Sequence, residues 1–335
     1  MTRPVRMTLI ASIAAIVSLY VNAAPALAFD CSKAASKVEK AICADQALIE
    51  ADNHMSASYK HLYDGYSAKD RKALRQSQRQ WLKRRGWCEN YETPISDCIL
   101  RETTGRTRLL TGRPDSGNAG KLQPMFVVQK GTTTQYDINI DLLRFKAPAT
   151  PGEAAFNAAI DAILAGSPVG KTHDKTDVTR QNEYQLSMTV PFASPAFISA
   201  RLFTYEYTGG AHGNTSTRNI NIDLRSGASV GFGDLFKPPA AAIFIDSCVA
   251  QIEKIKHERF GADGQGLYSV AERREIISET IPDINNWSFA GQQASVIFDP
   301  YEIGAYVEGR YECHFQMDVV RAQALPGSPL SQTGD

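Results

Sequence analysis

The groups best placed to do chemistry in this 335-residue sequence are a histidine among glycines and a pair of loop tyrosines. His212 lies in Tyr205-Glu206-Tyr207-Thr208-Gly209-Gly210-Ala211-His212-Gly213-Asn214. An imidazole can serve as base, metal ligand or hydrogen-bonding partner. Gly209, Gly210 and Gly213 permit positive φ or the close approach of another chain. Three uses are open: a structural hairpin in which His212 bonds backbone, a binding loop, and a catalytic or metal-binding histidine. The last lacks a second histidine or acid at ligand spacing, and Glu206, six residues away, is the nearest acid. The second dense segment is Phe298-Asp299-Pro300-Tyr301-Glu302-Ile303-Gly304-Ala305-Tyr306. Tyrosines on a Pro- and Gly-stiffened loop suit an interface anchor or a packed strand exit. The expected partner-binding residues are Tyr205, Tyr207, Gly209, Gly210, His212, Asn214, Tyr301 and Tyr306. HExxH, P-loop and helix-preceding GxGxxG patterns do not occur. A non-enzymatic protein without cofactor or resident metal is therefore expected, and a metal-dependent hydrolase centred on His212 is a further alternative.

The address comes from the first residues. Arg3 and Arg6 precede an apolar run from Leu9 to Val21, followed by Ala26-Leu27-Ala28. This is the pattern of a signal peptide cleaved after Ala28, leading to the periplasm or outside. The run of thirteen residues is shorter than the roughly 20 needed to span a bilayer. In an oxidising compartment six cysteines imply disulfides. Cys31, Cys43, Cys88 and Cys98 cluster, while Cys248 and Cys313 lie far downstream. The four allow three pairings and spacing does not choose among them. Local bridges Cys31–Cys43 and Cys88–Cys98 are expected, with Cys248–Cys313 as the third. CxxC spacing is absent, which disfavours zinc.

Two units have to position these groups. Residues 29–110 read as a helical domain stapled by disulfides. Leu48, Met55, Tyr59, Leu62 and Tyr66 stripe a helix starting near Asp45. Ser67-x-x-Asp70 resembles a capping box for the next helix, on which Leu74, Trp81 and Cys88 share a face. Ser96 or Asp97 is expected to cap a third helix through Leu110. Residues 111–124 have linker composition. Residues 125–325 read as an antiparallel sheet packed with helices, and 326–335 as a flexible tail. Tyr136–Leu142 and Tyr184–Val190 alternate apolar with polar, implying one buried and one wet face. Thr150-Pro151-Gly152-Glu153 opens a helix between them, Ala240–Phe260 reads as a second helix, and Ala294–Phe298 and Tyr311–Val319 read as closing strands. The whole is α+β: a stapled helical domain followed by an antiparallel sheet domain.

With 36 Lys+Arg against 36 Asp+Glu, the chain is not a nucleic-acid binder working by net charge. With one long apolar run, it is not a polytopic membrane protein. The charge is unevenly divided. Phe29–Arg113 holds 16 basic against 11 acidic residues, a net of +5, and Pro114–Asp335 holds 18 against 25, a net of −7. Arg71, Lys72, Arg75, Arg79, Lys83, Arg84 and Arg85 carry much of the basic excess. They read either as a solvated helix face or as a docking face for an anionic surface such as phospholipid or envelope polymer.

Phe29-Asp30-Cys31, Val38-Glu39-Lys40-Ala41-Ile42-Cys43-Ala44-Asp45, Gln78-Arg79-Gln80-Trp81-Leu82, Arg85, Cys88 and Cys98 resemble the LprI-type lysozyme-inhibitor domain over about 29–110. Tyr207–Gly213, Asp234-Leu235-Phe236 and Phe298–Tyr306 resemble the extracytoplasmic domain of the anti-sigma factor RsiV over about 125–320, a part also found beside polysaccharide deacetylases. The first resemblance implies inhibition of lysozyme, and the second a lysozyme receptor whose occupancy exposes it to proteolysis. Sigma-factor regulation does not carry over, because no cytoplasmic sigma-binding part is recognised. The expected function is a secreted periplasmic protein binding lysozyme or a related muramidase by steric occlusion. The alternative is an envelope module holding peptidoglycan or anionic lipid. Animal lysozymes are basic, so the acidic second half is the better electrostatic partner.

Overall fold

The computed structural model describes residues 30–90, 94–118, 120, 122–173, 181–261 and 267–332. The expected signal peptide, 1–28, lies outside the described residues.

The chain begins with α1 (Lys37–Ala44), α2 (Gln46–Gly65), α3 (Ala68–Gly86) and α4 (Ile95–Thr111). Side-chain caps set the first three starts. Ser36 Oγ accepts from the Glu39 N–H while the Glu39 carboxylate accepts from the Ser36 N–H. The Asp45 carboxylate accepts from the Ala47 N–H, and Ser67 Oγ from the Asp70 N–H. The fourth start differs from expectation. It follows Pro94 without a side-chain cap, rather than Ser96 or Asp97, because the ring holds φ near helical values, at −49°. Leu48, Met55, Leu74 and Trp81 are buried, and Cys31–Cys43 and Cys88–Cys98 are bridged. A core this small gains from such staples.

A five-stranded sheet follows, ordered β1 (Leu122–Gln129), β2 (Asp137–Phe145), β3 (Glu183–Ala193), β4 (Phe197–Tyr207) and β5 (Asn214–Asp223). Neighbours are antiparallel except β2 and β3, which run parallel in the register Ile140↔Leu186. The sheet is thus mixed rather than purely antiparallel. The cause is α5 (Pro151–Gly166), a crossover helix between β2 and β3, as a parallel pair requires. Phe156 and Ile160 of α5 pack on Ile138, Ile140, Leu142, Leu186, Ala200 and Ile222.

The opposite, polar face is not wet. Asn139, Asp141, Ser199, Asn219 and Asn221 are all buried. On the β2 side, α3 and α4 cover it: Arg106 Nη1 donates to Asp141 Oδ2 at 3.1 Å and Ser77 Oγ to Asp141 Oδ1 at 2.7 Å. On the β4–β5 side a second sheet covers it. Asn221 Nδ2 donates to the carbonyls of Ile284 and Trp287, Arg201 Nη2 to Ser295 Oγ, and the Phe289 N–H to Ser199 Oγ. That second sheet is antiparallel, ordered β6 (Trp287–Phe289), β7 (Gln293–Phe298) and β8 (Tyr311–Gln316).

Four helices complete this part: α6 (Phe232–Leu235), α7 (Ala240–Phe260), α8 (Val270–Thr280) and α9 (Met317–Gln323). Phe236, Phe244, Trp287 and Phe315 pack ring against ring in its core, and Cys248–Cys313 ties α7 to β8. The last strand stops at Gln316 instead of reaching Val319, which stands exposed on α9. Two stretches expected to be loose are anchored where described. Asp115 N–H donates to the Val190 carbonyl and Ser116 Oγ to the Pro191 carbonyl. Leu330 is buried in the α7 core within the expected tail.

Candidate functional site

The β4–β5 loop and the β7–β8 loop meet. Gly209 and Gly210 take φ of 106° and 96°, a region that strongly favours glycine, and so turn the chain between the strands. A Cβ on Gly213 would stand 2.4 Å from the Tyr205 ring, so glycine is what lets the backbone pass beneath it. Tyr207 is buried, and its hydroxyl donates to the Gly210 carbonyl at 3.0 Å. Asn214 is exposed where β5 begins, opposite Glu206.

The other loop is held by carboxylates. Both Asp299 oxygens accept from Thr217, one from its N–H and one from its hydroxyl, which ties the loop to β5. The Asp299 N–H donates to Glu302 Oε2 at 2.8 Å. Glu308 accepts from the Ala305 N–H, from Lys256 Nζ at 2.7 Å and from the Tyr311 hydroxyl. Burial pushes the Asp299 carboxyl up against the two Thr217 hydrogen bonds, and partial desolvation by its neighbours, with the Asp299 charge, pushes Glu302 up. Burial also pushes Glu308 upward, but its hydrogen bonds outweigh this and leave it below the ordinary value.

Where the loops touch, His212 and Tyr306 stack with ring centroids 3.7 Å apart and planes at 15°. The Tyr306 hydroxyl donates to the Gly213 carbonyl at 2.9 Å, and His212 Nδ1 lies 3.0 Å from the same oxygen. Tyr301 extends the platform, its ring 5.5 Å from Tyr306. Tyr301 is 51% exposed, and with φ of 77° it is the non-glycine residue held at positive φ among the described residues. Such a conformation costs about 1–3 kcal/mol and persists where surroundings enforce it. The Tyr268 hydroxyl, donating to the Tyr301 carbonyl, is part of that enforcement. Val307, 91% exposed, stands next to Tyr306.

The structure therefore brings His212, Tyr301 and Tyr306 to one surface. It uses Tyr205, Tyr207, Gly209 and Gly210 to shape the loop beneath, and sets Asn214 at its margin. Nothing in the local sequence pattern marks Tyr268 or Val307. Fixed aromatic faces with polar tips suit recognition of another molecule. His212 is committed to a ring stack and a backbone carbonyl, and among the described residues no three His, Cys, Asp or Glu side chains are grouped to hold a metal ion.

The residues that carry the N-terminal resemblance have structural jobs. Glu39 and Asp45 cap helices. Gln78 accepts from Arg106 Nε, Trp81 is buried, and Arg85 reaches buried Asp52 at 2.5 Å.

Comparison with known proteins gives three successive matches along the chain. Residues 31–110 match the family described as Lysozyme inhibitor LprI, residues 124–215 Deacetylase PdaC, and residues 233–318 a protein family of unknown function, DUF3298. The matches thus run in the order of an N-terminal LprI domain followed by a PdaC/DUF3298-type region. It is 24% identical over 186 residues to the peptidoglycan-N-acetylmuramic acid deacetylase PdaC of Bacillus subtilis, covering 56% of this chain and 38% of that protein. The chain therefore spans well under half the length of that relative. Two crystal structures are similar. A DUF3298 family protein from Pseudomonas aeruginosa PAO1 has 15% identity and a TM-score of 0.42, covering 64% of this chain and 97% of that one. A DUF3298 family member from Bacteroides fragilis has 14% identity and a TM-score of 0.43, covering 64% and 98%. The β4–β5 loop falls in the PdaC match and the β7–β8 loop in the DUF3298 match, so the aromatic platform is built from both.

Proposed function

We propose that this is a secreted, envelope-located binding protein that captures lysozyme or a related muramidase and blocks it sterically, without catalysis of its own. The observation that carries this reading is the strained, exposed Tyr301 beside the His212–Tyr306 stack. A rigid aromatic platform offers contact area at low entropic cost on binding. The LprI match over residues 31–110 supports the class of partner, and the three disulfides support an oxidising location. The net −7 of Pro114–Asp335 gives the platform's half of the chain the right sign to steer a basic enzyme. The test is lysis of a cell-wall suspension by a basic lysozyme with the protein in increasing molar excess. Inhibition that saturates near one equivalent, and is weakened by Tyr306→Ala, is expected. Full lysozyme activity in large excess of the protein refutes the proposal.

A further inference from the structure

Helix α3 carries eight basic residues and one acid; Lys69 stands exposed in its first turn, and the structure divides the other seven cations into two groups. Arg71, Arg84 and Arg85 are used internally. Arg71 bonds the Tyr63 and Asp64 carbonyls, Arg84 faces Glu102 at 3.7 Å, and Arg85 pairs with buried Asp52. Lys72, Arg75, Arg79 and Lys83 are exposed. At 100° per residue they fall on one face, opposite buried Leu74, Ser77 and Trp81. The row runs about 16 Å along the helix. Arg75 also leans over the Tyr63 ring, while no acid lies within ion-pair distance of Lys72, Arg79 or Lys83 among the described residues.

Two large apolar side chains border this row. Leu82 is 43% exposed on α3, and Trp87 is 50% exposed on the 3-10 turn that follows it. That turn is pinned by the Cys88–Cys98 bridge, so Trp87 is held in place. Trp81 and Trp287, the remaining tryptophans of the sequence, are buried. A solvated charged face has no use for an exposed tryptophan and leucine at its edge. A cell-wall polyanion would engage the cations and stack a sugar ring on the Trp87 indole, but it would leave Leu82 in water. An anionic phospholipid bilayer accommodates all of them: cations at the headgroups, the indole in the interfacial zone and the leucine below it.

We propose that the outer face of α3, with Lys72, Arg75, Arg79 and Lys83 flanked by Leu82 and Trp87, docks the protein on the surface of an anionic phospholipid bilayer. This surface is independent of the aromatic platform, and the proposal does not rest on muramidase binding. The net +5 of Phe29–Arg113 favours an anionic membrane and disfavours a basic enzyme at this face. Attraction of this kind falls off within a Debye length of about 10 Å at 0.1 M salt, so docking weakens as salt rises.

The test uses the chain from Phe29 onward, which contains all the described residues, with vesicles of mixed phosphatidylglycerol and phosphatidylcholine. The expected result is co-sedimentation and a blue shift of tryptophan emission, both absent with pure phosphatidylcholine and both reduced by salt. Trp87→Phe abolishes the shift, because the other two indoles are already buried. Arg79→Gln with Lys83→Gln weakens binding about 25-fold, about fivefold for each cation. These positions are exposed, so an unchanged thermal melt shows that folding is intact. No co-sedimentation at low salt overturns the proposal, as does binding that survives the double glutamine variant. Retention on purified sacculi without any emission shift on vesicles also overturns it and assigns the face to a cell-wall polymer.

Discussion

Arg106 is the residue through which the helical domain holds the polar face of the sheet, and its removal has a large, calculable cost. Its guanidinium is 1% exposed and its partner Asp141 2% exposed. Nη1 reaches Asp141 at 3.1 Å, Nη2 reaches Ser77 Oγ at 3.0 Å and Nε reaches Gln78 Oε1 at 2.9 Å. Phe126 and Trp81 lie under its planar face. Burial pulls the guanidinium below its ordinary pKa and the Asp141 charge opposes that pull, so the pair is stable only as a pair. Arg106→Ala strands the Asp141 carboxylate in the interior with only the Ser77 hydroxyl. Breaking a buried pair in this way costs about 3–5 kcal/mol. Replacing both partners by apolar residues of similar volume, Arg106→Met with Asp141→Leu, removes the charge and much of its desolvation penalty together. The double variant is expected within about 2 kcal/mol of the parent, less stable mainly by the Ser77 and Gln78 groups it leaves unpaired. Urea unfolding followed by tryptophan fluorescence measures both, since Trp81 packs beside Arg106. A single variant that loses less than 1 kcal/mol, or a double variant at least as unstable as the single, would refute the reasoning that this ion pair locks the two layers.

Three further outcomes are expected. Tyr301→Gly relieves the positive φ and stabilises the fold by about 1 kcal/mol while weakening muramidase binding; paired melting and binding measurements check the opposite signs. Replacing Cys248 and Cys313 by alanine opens a link across 65 residues and costs about 4 kcal/mol on the chain-entropy account. Either N-terminal pair, closing 12 or 10 residues, costs about 3 kcal/mol, which urea midpoints test. Glu302 titrates above its ordinary value in the folded state, chiefly through partial desolvation by its neighbours and also through the Asp299 charge. Its contribution to stability is therefore fully present below the unfolded pKa of about 4.3 and is lost as pH rises through the folded value. Asp299→Asn keeps the backbone N–H to Glu302 and removes the charge, so the Glu302 carboxyl resonance should titrate at lower pH; an unchanged midpoint contradicts this.

Local chemistry was largely legible in the sequence. Thr150 before Pro151 caps α5, Asp45 and Ser67 cap α2 and α3, and Ala240–Phe260 is one helix, because caps and apolar periodicity act within a few residues. Long-range pairing was not. Alternation in β2 and β3 marks two half-polar strands, but it does not say that a crossover helix makes them parallel. Nor does it say what covers the polar side. Asp141, Asn219 and Asn221 look like solvent-facing residues, and their burial depends on Arg106, Asn285, Ile284 and Trp287, which arrive from other parts of the chain. The site divides in the same way. Gly209, Gly210 and Gly213 announce a tight loop, and Tyr301 and Tyr306 an aromatic one. The stack of His212 on Tyr306 joins positions more than ninety residues apart, and no local pattern encodes it.

Capture of a basic muramidase by the aromatic platform is tested by calorimetric titration of the protein with a basic lysozyme at two salt concentrations. One-to-one binding is expected, weakening with salt and falling at least tenfold in Tyr301→Ala and Tyr306→Ala, with an unchanged melt as the check that each variant is folded. Absence of binding at low salt, or affinity unchanged in both tyrosine variants, would contradict it.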